Sequence, residues 1–174
     1  VGGFEDYPVY TRKSNTDVSY LLCAQKLLAA DKLYPMFGTH NAHTVAAILE
    51  MAGGVKGYEF QKLYGMGDAL YNHVIEDHNV LVTSYAPVGN YGDLLPYLVR
   101  RMLENGANSS FVNQIYNKDY KPEEIVLDPI EKARSNEVKP HPSISLPKDL
   151  FGSERVNSKG IDLEHEAFNE KLLS

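Results

Sequence analysis

The chain has 174 residues, 17 Lys and Arg against 23 Asp and Glu, and a formal net charge of −6. A chain of this length suits one domain and buries about two-thirds of its unfolded surface; 43% apolar and 23% charged content excludes disorder throughout. The longest apolar runs, such as Leu94 to Val99, fall far short of the about 20 residues of a membrane span, and a net-negative chain with no basic block is a poor nucleic-acid binder.

One cysteine, Cys23, excludes an internal disulfide and fits a reducing compartment. The opening Val1-Gly2-Gly3-Phe4 is neither an initiator start nor a signal peptide. The expectation is a piece of a longer chain.

In chain order, a short apolar or aromatic run, a polar turn and an amphipathic stretch recur. Tyr7 to Lys13 is predicted as a strand, with Thr16 or Asp17 capping a helix that carries Val18, Leu21, Leu22, Gln25 and Leu28. Tyr34 to His40 is a second predicted strand. Asn41 caps a helix with Val45, Ile48, Leu49 and Ala52 on one side, and Gly53-Gly54 ends it. Tyr58 to Leu63 is a third strand, and Gly67-Asp68 opens a short helix from Ala69 to Ile75. Val80 to Ala86 is a fourth strand, closed by Pro87 and Gly89, and a fourth helix runs from about Asp93 to Glu104.

Predicted strands beginning at 7, 34, 58 and 80 recur every 22 to 27 residues. That is the period of consecutive βα units, with parallel strands and right-handed crossovers. The expected class is α/β: about four βα units, the second half of a distorted (βα)8 TIM-like barrel, with a small open sheet as the alternative. The expected division is 1–116 for the half barrel and 117–174 for a post-barrel helix and linker. In that second part Glu123 to Ser135 reads as one helix, and His141 to Gly160 as an extended linker interrupted by Pro142, Pro147 and Gly152.

Active sites of parallel β/α barrels lie at the carboxyl ends of the strands. Those ends carry Thr11-Arg12-Lys13, Thr39-His40-Asn41, Gln61 and Tyr85, although loops that meet water are polar in any case. On the fourth helix Tyr97, Arg100, Arg101 and Glu104 share one face, and Leu95, Leu98, Val99 and Met102 lie nearly opposite as a stripe to bury. The plain account of the polar face is a solvated surface with an Arg100–Glu104 pair. The functional account is an anion clamp, since two guanidinium forks bind a carboxylate bidentately. His40 and His43 could share a metal in a metal-dependent barrel hydrolase, but no third ligand stands nearby in sequence. Gly65-Met66-Gly67 lacks the third glycine of a dinucleotide loop, and there is no P-loop.

Taken together, Tyr7 to Lys13 with Thr16 to Leu21, Thr39 to Thr44, Tyr58 to Gln61 with Gly65-Met66-Gly67, Tyr85 to Gly89, Tyr97 to Asn108 and Ser110 to Asn113 resemble the flavin-dependent proline dehydrogenases. The match is collinear from about residue 7 to 115. The tail, with His141-Pro142, Leu146 to Leu150 and Asn157 to Asp162, is similar to the segment after the barrel in the bifunctional proline utilization A family, whose chains continue into an aldehyde dehydrogenase domain.

The resemblance implies a distorted β/α barrel with FAD at its strand ends. It implies oxidation of L-proline to Δ1-pyrroline-5-carboxylate, with electrons passed to a membrane quinone. It also implies a cytoplasmic protein, peripheral at the inner face of the membrane. Carried over by position, Arg100 and Arg101 would hold the substrate carboxylate, and Tyr85 and Tyr97 would wall the pocket. Thr11, Lys13, Thr39, His40, Asn41, Gln61, Glu104, Ser110 and Phe111 would contact FAD or stand in its shell. The family's first barrel strands, with a lysine and an aspartate in the substrate pocket and an arginine facing the flavin, are not in this sequence. The chain therefore holds half a site, with no general base and no metal ligand assigned, and inactive as a fragment on the alternative view.

Overall fold

The computed structural model describes residues 6–54, 57–107, 114, 119, 121–136 and 140–158. Its elements are α1 (Lys13–Leu28), β1 (Met36–Gly38), α2 (Ala42–Ala52), β2 (Glu59–Leu63), α3 (Asp68–His78), β3 (Leu81–Tyr85), α4 (Tyr91–Gly106), α5 (Pro122–Ile125), α6 (Pro129–Arg134) and a 3-10 turn at Pro147–Asp149. The strands form one parallel sheet in the order β1-β2-β3. A helix connects each strand to the next, which is the construction of a β/α-barrel wall.

Local chemistry sets several boundaries. The Asn41 side chain accepts the His43 N–H at 3.0 Å and starts α2. Gly53, left-handed at φ 52°, ends it. Asn90 accepts the Asp93 N–H at 3.2 Å and starts α4.

Register aligns Phe37, Phe60 and Val82 across the sheet. Side chains alternate along a strand, so these three share one face. Helices α1, α2 and α3 cover that face with Ala24, Val45, Ile48, Ala52, Tyr71 and Val74. The other face carries the row Met36, Glu59, Leu81 and the row Gly38, Gln61, Thr83. Met36 and Leu81 are each 58% exposed there, where a closed barrel would bury them.

Four expectations need correction. Tyr7 to Lys13 forms no strand. Its polar groups bond to the segment after α4 instead, through the Tyr7 hydroxyl to the Ile144 carbonyl at 2.6 Å and the Arg12 guanidinium to the Pro140 carbonyl at 3.3 Å. Lys13 already belongs to α1, whose cap position is Arg12 in extended conformation, so neither Thr16 nor Asp17 is the cap. The stretch from Glu123 to Ser135 is two helices, because Asp128 caps Ile130 at 2.8 Å and Pro129 takes the first turn of α6. Finally, α4 has no buried residue: Leu95, Leu98, Val99, Met102 and Leu103 are all exposed. The described part of 141–160 is irregular apart from the 3-10 turn. It folds back against residues 7–14, and α6 packs on α1.

An open parallel sheet with one partly uncovered face and an apolar helix stripe in water promotes association. Residues 1–174 expressed alone are therefore expected to self-associate or to bind a hydrophobic dye while keeping secondary structure. Size-exclusion chromatography with light scattering checks this, and a monomer that unfolds cooperatively and binds no dye would contradict it.

Candidate active site

The carboxyl end of β1 and the inner face of α4 meet through one carboxylate. The Glu104 Oε2 lies 2.7 Å from Arg101 Nη1, and its Oε1 lies 3.4 Å from His40 Nδ1. The His40 Nε2 accepts the Leu63 N–H at 3.3 Å. That acceptor role leaves the proton of the neutral ring on Nδ1, aimed at Glu104. The ring stands edge-on to Tyr71, centroids 6.5 Å apart at 84°. The Tyr71 hydroxyl donates to the Thr39 carbonyl, and burial pushes its phenol well above the ordinary range.

Along α4 the half-buried positions are Leu94, Tyr97, Arg101 and Glu104, at helical spacing. The Arg101 guanidinium lies 5.2 Å from the centre of the Tyr97 ring, a cation–π contact. The Arg101 Nε and the Tyr97 hydroxyl are shielded from solvent and complete no well-formed hydrogen bond among the described residues. Tyr85, at the end of β3, has its phenol raised above the ordinary range, first by the Tyr97 hydroxyl against it and then by desolvation. His40, Tyr85, Tyr97, Arg101 and Glu104 thus form one connected group, with Thr39 tied in through Tyr71. Arg100 is exposed. Glu104 pairs with Arg101, not with Arg100 as the surface account of this helix had it.

Thr11, Lys13 and Asn41 line a second feature, a cleft of about 450 Å³ beside α1. The Thr11 Oγ1 accepts the His141 N–H at 2.9 Å, and Lys13 pairs with Asp17. Gln61 lies on the partly uncovered face of the sheet, donating to Glu59 at 3.2 Å and to the Met36 sulfur at 3.3 Å. Ser110 and Phe111 fall outside the described residues. His43 lines the cleft while His40 faces Glu104. Among the described residues no three His, Cys, Asp or Glu side chains converge as a metal site.

Sequence reasoning missed two supports, Tyr71 and Gly67. Gly67 caps α3 at φ 71°, and a Cβ there would stand 3.1 Å from the His40 ring and 3.3 Å from the Tyr71 ring. The signal was the glycine just before Asp68, with Tyr71 one turn later. Sequence reasoning also left out Lys132, Asn136 and His141, which line the cleft from after α4.

With this geometry in hand, comparison with known proteins is direct. The family model for proline dehydrogenase matches residues 1–114. The chain belongs to the proline dehydrogenase family.

The bifunctional protein PutA of Klebsiella aerogenes is 53% identical over 179 residues, covering 94% of this chain and 14% of the relative. The bifunctional protein PutA of Rhizobium meliloti is 47% identical, with the same two coverages, 94% and 14%. A crystal structure of a mutant of Bradyrhizobium japonicum proline utilization A superposes with a TM-score of 0.86 at 48% identity, over 98% of this chain and 18% of that one. This proline dehydrogenase segment therefore spans 14% of the length of these curated relatives. Its three parallel strands are part of a β/α barrel.

Gly67 gives the proline dehydrogenase segment a sharp test of the His40 support. A left-handed backbone costs a non-glycine residue about 1–2 kcal/mol, and the added Cβ also crowds His40. Gly67→Ala in the complete chain is expected to lose about that much stability in denaturant titration. An unchanged midpoint would contradict it.

Proposed function

We propose that this segment supplies the second half of a distorted eight-fold barrel (residues 1–116). Residues 117–174 lead from it towards an aldehyde dehydrogenase domain. The completed site oxidises L-proline to Δ1-pyrroline-5-carboxylate, the first step of proline catabolism.

The observation that carries this reading is Arg101. Its Nη1 is held by Glu104, while its Nε is shielded and unpaired among the described residues. A buried donor without an acceptor is costly, so the arrangement favours a ligand that brings an acceptor. A carboxylate is the natural complement of a guanidinium fork. Arg101 binds the proline carboxylate, and Arg100 closes on it from the open side of α4. Tyr85 and Tyr97 wall the ring of the substrate and keep water away.

The hydride leaves a carbon next to nitrogen, so the amine lone pair must be free. Proline in water carries a protonated amine. Fixed positive charge at its carboxylate disfavours that ammonium and favours the reactive form. No residue of this chain is assigned as general base; the substrate-facing lysine and aspartate belong to the other half of the barrel.

Bound FAD would supply the hydride acceptor. Thr11, Lys13, Thr39, His40, Asn41, Gln61, Glu104, Ser110 and Phe111 hold it or support those that do. What supports a dinucleotide here is the donor chemistry: the hydroxyl and amide groups of Thr39, Asn41 and Gln61 in and just after β1 and β2, and the hydroxyl and ammonium of Thr11 and Lys13 at the start of α1. A membrane quinone takes the electrons onward, which places the protein in the cytoplasm, peripheral at the inner membrane face. No helix of the described residues is long and apolar enough to cross a membrane.

Binding that forms before hydride transfer and persists through it shows mainly in KM. Truncating one partner of a buried charge pair costs on the order of 2–5 kcal/mol. In the complete enzyme Arg101→Met is expected to raise the KM for proline by roughly 30-fold or more, with a smaller fall in kcat. Steady-state kinetics checks it. An unchanged KM would remove the carboxylate clamp.

A further inference from the structure

The cleft beside α1 has two walls from distant parts of the chain. One is Thr11, Lys13 and Asn41; the other is Lys132, Asn136 and His141 from the segment after α4. The walls are stitched together at three further points. The Tyr7 hydroxyl donates to the Ile144 carbonyl at 2.6 Å, Arg12 Nη2 to the Pro140 carbonyl at 3.3 Å, and Asn136 Nδ2 to the Ser14 hydroxyl at 3.5 Å. Residues 121–136 and 140–144 are therefore not a loose tether.

The hydrogen bonds also decide what the lining can offer. The Thr11 oxygen already accepts the His141 N–H at 2.9 Å, so its hydroxyl proton is directed away from that bond. The Asn41 oxygen accepts the His43 N–H at 3.0 Å, so its amide presents N–H groups. Asp17, the carboxylate in the lining, is paired with Lys13. Lys132 adds a further positive charge from the opposite wall. In a chain of net charge −6, the result is a cleft that offers donors and cations. Such a lining fits an acceptor-rich anion, and a diphosphate more closely than a single carboxylate.

We propose that residues 121–136 and 140–144 form the second wall of the cofactor pocket, with Lys132 placed to meet the diphosphate of FAD and the His141 backbone orienting Thr11 as a donor. This rests on the flavin reading above. Lys132 is a cofactor-binding residue on this account, and His141 is a positioning residue.

The test uses the complete chain stripped of flavin, titrated with FAD and with riboflavin, which lacks the phosphates, by flavin fluorescence. Lys132 is exposed, so Lys132→Glu is expected to keep the wild-type unfolding midpoint. It should weaken FAD binding by about tenfold or more while leaving riboflavin binding within about twofold. Lys132→Arg should restore most of the loss. Equal FAD affinity in wild type and Lys132→Glu, or an equal loss for riboflavin, would overturn the proposal and leave the flavin reading standing. Failure of the wild type to bind either flavin would sink the flavin reading. An ADP titration then decides the cleft: Lys132-dependent ADP binding keeps it as a diphosphate site, and no ADP binding removes that too.

Discussion

The Phe60 ring is where the sheet, the helices and the candidate site connect. It is fully buried and touches the rings of Phe37, Tyr58 and Tyr71, with centroids 6.2, 5.8 and 5.8 Å away. Aromatic packing of this kind combines large buried area with defined ring geometry. Tyr71 passes the constraint on, because its hydroxyl holds the Thr39 carbonyl and its ring flanks His40. His40 then meets Glu104, and Glu104 holds Arg101. A core residue on one face of the sheet thereby sets the position of a guanidinium at the strand ends.

The same sheet has a second face that the described residues cover only in part: Glu59 and Leu63 are buried on it, and Tyr85 meets Tyr97 of α4. Met36 and Leu81 are exposed on it, and the apolar stripe of α4 lies in solvent. Parallel sheets are found with both faces covered. On the proposed reading, completing the barrel would turn this face inward and make the strand-end cluster one side of a pocket.

How much was legible in the sequence depended on how local each signal was. The start and end of α2 could be read because Asn41 and Gly53 act within one helical turn. The segment from Tyr7 to Lys13 forms no strand because a short apolar and aromatic run does not make one without a ladder partner, and here Pro140, His141 and Ile144 take its polar groups. The break at Asp128-Pro129 was a legible cap that a longer periodic run concealed. On α4 the polar face was legible, but its division was not. Neighbouring residues point about 100° apart on a helix, which leaves Arg101 half-buried on the ion pair and Arg100 exposed. That Lys132 and His141 wall the cleft was not legible, even though His141-Pro142 stands in the tail motif, because the wall depends on contacts across more than a hundred residues.

The central claim is that a proline carboxylate is gripped at the strand ends while the ring is oxidised. Anaerobic titration of the flavin-loaded complete enzyme with L-proline and with L-prolinamide tests it most directly. The amide keeps the ring and the oxidisable carbon and lacks the anionic group. The account predicts that L-proline bleaches the visible flavin absorbance and that L-prolinamide needs far higher concentrations to do so. Equal bleaching by both at the same concentrations would contradict it.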